Sequence, residues 1–194
     1  ESLMIKDLVL RNRSYRRFDQ SARIAPETLR DLVDLARVTP SASNAQPLKY
    51  MLLTGEEACA KIYPSLLWAG YLKEWDGPVE GERPSAYVVV LGDTAIRNSY
   101  NVDPGIAIQT MLLSAVEQGL GGCILASIKR DDIRAAFNIA AKFELLYVVA
   151  LGKPVEEVVL DEMNADGDIK YWRDEKQVHH VPKRALKDII VSEL

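Results

Sequence analysis

The sequence predicts an α+β fold, a β-sheet flanked by helices, and three observations carry that prediction. Tyr87-Val88-Val89-Val90-Leu91 is a β-branched run of the kind found in a buried central strand. Leu29, Leu32, Val33 and Ala36 fall at i, i+3, i+4 and i+7, one face of a helix. The segment from Asn101 to Gln118 is apolar almost all round through Ile106, Ala107, Ile108, Met111, Leu112, Leu113, Ala115 and Val116. A helix apolar on every face is expected to be buried on every face, under a sheet or at a subunit interface.

The remaining elements follow in order. Ser2 suits the cap of a first helix running to Arg11, with Leu3, Ile5, Leu8 and Val9 on its apolar side. Pro26 suits the first turn of the second helix, and Thr39-Pro40 stops it, because proline disfavours helix at the residue before it. Tyr50 to Thr54 reads as a short buried strand and Glu56 to Ile62 as a helix. Pro64 to Trp75 reads as another short helix, and Gly77-Pro78 to Arg83-Pro84 as a loop. Gly119-Leu120-Gly121-Gly122 ends the apolar helix. Cys123 to Leu125 then reads as a strand, Asp131 to Phe137 as a helix, and Leu145 to Leu151 as a strand stopped by Gly152-Lys153-Pro154. The tail from Val155 reads as extended. In it Asp166-Gly167 is a hairpin-type turn, Ile169–Tyr171 and Val178–Val181 are strand-like, and Pro182 opens a last short helix with Leu186, Ile189 and Ile190. An extended tail that buries apolar residues calls for a partner subunit.

The 194 residues suffice for one domain with a sizeable core, and no linker or repeat divides them. Residues 1–194 are therefore read as one domain, with 155–194 as an arm. A formal charge of -4 argues against general nucleic-acid affinity. No apolar run approaches the roughly 20 residues of a membrane span, and Glu1-Ser2-Leu3-Met4 carries no signal-peptide pattern, so the expectation is a cytoplasmic protein. Cys59 and Cys123 are too few for a disulfide framework and are expected to be reduced, partly buried thiols.

Two segments carry most of the chemistry. Asn12-Arg13-Ser14-Tyr15-Arg16-Arg17-Phe18 is dense in guanidinium groups with a hydroxyl among them. Thr39-Pro40-Ser41-Ala42-Ser43-Asn44-Ala45-Gln46-Pro47 is a small-residue loop rich in hydroxyls and amides. Arginine presents a rigid fork of donors that suits phosphate, and Ser14 and Arg16 share a face of an extended segment. Small side chains in the second loop let backbone approach a flat ring. Each segment alone also suits a plainer role, a solvated basic loop or a helix-ending turn.

Arg13-Ser14-x-Arg16, then Pro40-Ser41-x-x-Asn44-x-Gln46-Pro47, then Val181-Pro182-Lys183-Arg184, resembles the nitroreductase family of FMN-dependent oxidoreductases. The resemblance runs from Asp7 to about Ile190. It implies a nitroreductase-like fold with a central mixed or antiparallel sheet, and a homodimer that exchanges C-terminal arms and binds FMN non-covalently at the interface. It further implies a ping-pong reaction, hydride passing from NADH or NADPH through flavin N5 to a flat small-molecule acceptor such as a nitroaromatic or quinone. No protein side chain is then required as a catalytic nucleophile or base.

The resemblance also assigns residues. Ser14 would bond phosphate or ribityl oxygens, and Arg16 would sit at the N1–C2 carbonyl edge of the flavin. Many members carry Arg-Arg-Ser where this chain has Asn12-Arg13-Ser14, so Arg11 or Arg13 would take over phosphate contact. Pro40, Ser41, Ala42 and Asn44 would lie on the flavin of the opposite subunit, with Gln46 reaching its ribityl chain or ring edge. Backbone groups at Leu125, Ala126 and Ser127 would face N5 and O4, and Arg184 with Lys183 would hold phosphate. Trp68, Tyr71, Leu72 and Trp75, near helical spacing, suit either core packing or a lid that shapes the substrate pocket.

Other readings are weaker. The glycines at 119, 121 and 122 follow a helix and precede a strand, the reverse of a dinucleotide fingerprint. His179 and His180 are strand neighbours and point to opposite faces, which does not suit one metal. Within the same resemblance, a non-catalytic FMN-binding or storage module and a reductive dehalogenase are the alternatives. Tyr71-Leu72-Lys73-Glu74 is only a faint echo of the dehalogenases' Glu-Tyr-Lys lid.

Overall fold

The computed structural model describes residues 4–194, so the cap expected of Ser2 and the place of Leu3 lie outside the described residues. The chain divides into two compact units, Glu1–Trp68 with Gly77–Val155, and Ala69–Asp76 with Glu156–Leu194.

In the first unit, strand β3 (Ala86–Asp93) is buried along its whole length, as its β-branched run requires. It pairs antiparallel with β2 (Leu48–Leu53) on one side and β5 (Phe143–Pro154) on the other. The far edge of β5 carries both β4 (Gly121–Leu125) and β1 (Phe18–Asp19), again antiparallel. Val88, Val90, Val149 and Leu151 from this sheet meet Leu29, Leu32 and Ala36 of α2 (Pro26–Arg37) in one core. Ala107, Ile108, Met111, Leu112 and Ala115 of α4 (Asp103–Glu117) complete it. Each fully buried aliphatic side chain contributes about 1.5–3 kcal/mol relative to exposure. Helix α1 (Ile5–Arg11) buries none of its residues, and Met4, Ile5, Val9 and Leu10 stay exposed. Helices α3 (Glu56–Ile62) and α5 (Arg130–Phe137) match their expected spans closely.

Within one chain, helix α4 leaves Gly105, Gln109 and Glu117 exposed. Two expectations for this unit need correction. Pro64 to Trp75 forms no α-helix. After a short 3₁₀ turn at Tyr63–Ser65, Leu66 bridges Ile128, with Leu67 N–H donating to Ser127 O at 3.1 Å and Lys129 N–H to Ser65 O at 2.8 Å. Backbone groups committed to a neighbouring segment cannot also close a helical ladder. Strand β5 is not stopped at Gly152 but runs through Pro154, where it receives β1. Gly152 permits this, because a Cβ there would lie 2.7 Å from the Phe18 ring.

In the second unit, β8 (His179–Lys183) pairs parallel with β6 (Val158–Glu162) and antiparallel with β7 (Trp172–Arg173). The tail is thus a small three-stranded sheet rather than a plain extended arm. Gly167 does adopt a turn conformation at φ +73, with its N–H on Asn164 O. It joins no hairpin, since β6 and β7, the strands on either side of it, lie on opposite sides of β8 and do not pair. The strand expected at Ile169–Tyr171 forms instead at Trp172–Arg173. Pro182 lies inside β8 rather than opening a helix, and the only helical turn beyond it among the described residues is 3₁₀, Leu186–Asp188. An ion pair between Arg173 and the buried Glu156, at 3.2 Å, holds this unit together, with the guanidinium 4.1 Å above the Trp75 ring.

Candidate functional site

The N-terminal Arg-Ser segment is a strap tied down on both sides. Ser14 forms a parallel bridge with Gly122, and Tyr15 N–H donates to Gly122 O at 3.0 Å. The Tyr15 hydroxyl returns to Arg11 O at 2.9 Å. Farther along, Phe18 is fully buried and its N–H donates to Glu82 O. Between these anchors Ser14 is exposed and Arg16 half-buried, with Arg16 Nη1 3.4 Å from Ser14 O. Arg13 turns back, its Nη2 donating to Val9 O at 2.9 Å. The buried Arg13 Nε has no hydrogen-bond partner among the described residues. Arg11 is exposed in the last turn of α1.

The 40–46 loop is organised by a residue the sequence reading missed. Asp103, buried in the first turn of α4, accepts the Ser41 hydroxyl at 2.5 Å and the Ala42 N–H at 2.9 Å. Ser41 Oγ accepts in turn from Gln46 N–H at 2.9 Å, and Arg97 Nη1 donates to Ala42 O at 3.0 Å. Ser43, Asn44 and Gln46 are held at φ +55, +52 and +52, and all three are exposed. Asp103 also presses on Tyr50. Burial, and secondarily that negative charge, push the Tyr50 phenol up to about 12. The loop borders a cleft of about 220 Å³ that Thr39, Pro40, Tyr50 and Asp103 also line.

Both segments are referred to one scaffold. Asn12 Nδ2 donates to Gln109 Oε1 of α4 at 3.2 Å, and the loop is tied to Asp103 at the start of the same helix. Strand β4 continues from α4 through the turn at Gly119 (φ +73) and pairs with the strap at Gly122. At the far end of β4, Leu125 is buried while Ala126 and Ser127 are exposed. The Ser127 carbonyl accepts Leu67 N–H, so that oxygen is already engaged.

The other expected site residues separate. Trp68 belongs to the first unit and is a packed residue, 6.2 Å from the Tyr63 ring. A Cβ on Gly77 would lie 2.5 Å from its indole, so only glycine fits there. Tyr71, Leu72 and Trp75 belong to the second unit, where Tyr71 packs on Tyr171 at 4.9 Å and Trp75 under Arg173. Lys183 and Arg184 are exposed in that unit, in strand β8 and just after it, not at the start of a helix. Arg184 lines a cavity of about 540 Å³ with Glu162, Asn164 and Asp188.

The histidines diverge as strand neighbours must. His179 is buried, while His180 lies between Asp161 and Asp174 at 2.9 and 3.2 Å, stacked on Trp172. Cys59 and Cys123 are both buried thiols, and burial pushes the Cys59 thiol up.

The donor set suits a phosphorylated flat ligand. The strap carries guanidinium groups at Arg13 and Arg16 with the exposed Ser14 hydroxyl, and the loop separately carries the exposed Ser43 hydroxyl and Asn44 amide. Asp103 was not legible in the sequence, because an acid opening a helix reads simply as a favourable dipole contact.

Comparison with known proteins points the same way. The family model described as "Nitroreductase family" matches residues 9–153. A protein of Bacillus subtilis (strain 168) named "Putative NAD(P)H nitroreductase YodC" is 20% identical, over 77% of this chain and 89% of its own length. Among solved structures, a nitroreductase-type protein from Exiguobacterium sibiricum 255-15 in complex with FMN aligns with a TM-score of 0.70 and 19% identity, over 88% of this chain and 98% of that one. A gut-bacterial enone reductase, CLA-ER, aligns at 0.66 with 19% identity, over 84% and 93%. The fold is that of the nitroreductases.

Proposed function

Because the chain belongs to the nitroreductase family, we propose that it is an FMN-dependent NAD(P)H oxidoreductase working as a homodimer. The observation that carries this reading is the common scaffold. The strap bearing Ser14 and Arg16, the 40–46 loop and the end of β4 are all anchored on α4 and β4. Bound FMN would supply two-electron hydride chemistry, ping-pong between NADH or NADPH and a flat acceptor such as a nitroaromatic or quinone.

The chain's own residues bind and tune. Ser14 and Arg13 would take phosphate and ribityl oxygens. Arg16 would place its positive charge at the pyrimidine edge of the ring, where it stabilises the reduced form. Asn44 and the loop around it would cover a flavin held mainly by the other subunit, with Ala126 and its neighbours at the ring. Lys183 and Arg184 would add cations for phosphate. A 220 Å³ cleft is smaller than the roughly 300–1,000 Å³ of ligand pockets, which supports a site completed by a second chain. The exposed apolar residues of α1 support the same dimer. The unit containing 156–194 is the arm we assign to that association, and Tyr71, Leu72 and Trp75 travel with it as candidates for shaping the acceptor pocket. No helix among the described residues is long and apolar enough to cross a membrane.

The test is an absorbance spectrum of the purified protein, before and after anaerobic NADH and then NADPH. A flavin band at about 450 nm that bleaches supports the oxidoreductase and identifies the donor. A band that persists with both donors indicates a flavin-binding module instead. No band after adding FMN overturns the cofactor assignment.

A further inference from the structure

We propose that Asp103 is the positioning residue of the 40–46 loop, and that Ser43 and Asn44, rather than Ser41, are the side chains this loop offers to its ligand. The inference rests on the FMN reading only for the ligand's identity.

The Ser41 hydroxyl is the obvious ligand group from the motif, yet it is spent internally. It donates to Asp103 Oδ2 and accepts from Gln46 N–H. The second carboxylate oxygen, Oδ1, takes the Ala42 N–H. One buried carboxylate therefore closes a ring of contacts that reaches from residue 41 to residue 46. Inside the ring, Asn44 N–H donates to Ser41 O at 2.8 Å and Ala45 N–H to Ala42 O at 3.2 Å. Gln46 Nε2 folds back to Asn44 O at 3.0 Å, so the glutamine side chain is also engaged within the loop.

The backbone supplies the second argument. Ser43, Asn44 and Gln46 all occupy the left-handed region, which non-glycine residues avoid. Three such residues within four positions persist only where the surroundings over-determine them, and such strain gathers at ligand sites. The Asp103–Ser41–Gln46 relay is what over-determines them. Its geometric result is that Ser43 and Asn44 are exposed while Ser41 is drawn in toward α4.

Amide hydrogen exchange and FMN titration on the full chain separate positioning from contact. In flavin-free protein, the Gln46 amide should exchange at least about tenfold faster in Ser41→Ala and in Asp103→Asn, because its acceptor is lost or diverted. Both variants should also bind FMN more weakly. Ser43→Gly and Asn44→Gly keep access to positive φ while removing the side chain. They should weaken FMN binding and leave the protection of the Ala42 amide, which rests on Asp103, in place. Unchanged Gln46 exchange in both Ser41→Ala and Asp103→Asn overturns the positioning role. Unchanged FMN affinity in both glycine variants overturns the contact assignment. If the unmutated protein takes up no FMN, the cofactor reading fails, and Gln46 exchange still decides the role of Asp103.

Discussion

Arg17 grips Glu82 with both arms of its guanidinium, Nε and Nη2 each donating to a carboxylate oxygen at 2.7 Å across 65 residues of chain. Adjacent residues of an extended strap face opposite ways. Arg17 is the anchor, and its neighbour Arg16 is the residue we propose for the ligand. Glu82→Ala should cost about 1.5–3 kcal/mol in chemical denaturation, the scale of hydrogen bonds to charged groups. It should also weaken FMN binding by loosening the strap. A loss of less than about 0.5 kcal/mol would make the pair a surface ion pair with no anchoring value.

Arg16→Ala should have the complementary signature. Stability should change little, while FMN binds more weakly and the flavin's reduction potential falls, because the reduced form loses a nearby cation. Spectroelectrochemistry of the loaded protein measures it. Unchanged occupancy and potential would remove Arg16 from the site.

Two glycines should respond in opposite directions. A Cβ on Gly122 would lie 2.4 Å from the Ala150 carbonyl oxygen, a backbone atom that no rotamer change can move. Gly122→Ala should therefore destabilise by about 1–3 kcal/mol and disturb the strap that pairs there. Gly105 sits in α4 with nothing within 4 Å of its added Cβ. Gly105→Ala should stabilise by about 0.4–1 kcal/mol in the monomer fold. Urea denaturation midpoints of the two variants check both signs.

His180 gives the second unit a pH dependence. It is faced by Asp161 from β6, by Asp174 beyond β7 and by the Trp172 ring. The hydrogen bond to Asp174 is the largest influence and raises its pKa above the ordinary 6.5; desolvation opposes it, and Asp161 adds to the rise. The same bond holds the Asp174 carboxyl below its ordinary 3.8. A raised histidine pKa contributes stability that is complete below 6.5 and fades as pH climbs through the folded value. A lowered carboxyl pKa contributes stability that is complete above 3.8 and fades as pH falls through its folded value. The cluster should therefore hold best between these limits and loosen above neutrality. Titration of the His180 ring by NMR checks the direction, and His180→Gln should abolish the alkaline part of the loosening.

The local chemistry of the chain was enough to place most of the first unit. The β-branched run of β3, the helical face of α2, proline at its start and glycine after α4 each act through neighbours in sequence. The Arg-Ser and Ser-Asn motifs pointed to the family for the same reason, since they are short local patterns. What escaped were outcomes of long-range competition. Residues 64–75 have helical spacing, yet the backbone at Leu66 and Leu67 found partners at Ile128 and Ser127. Gly152 reads as a strand breaker until the Phe18 ring arrives beside it. The tail's parallel pairing of Val158–Glu162 with His179–Lys183 has no local signature at all. The sharpest case is Ser41, whose hydroxyl the motif offers to a ligand and the fold engages with Asp103 and the Gln46 amide. A hydroxyl bonds whatever acceptor the fold brings within reach, and only the tertiary structure brought Asp103 there, 62 residues away.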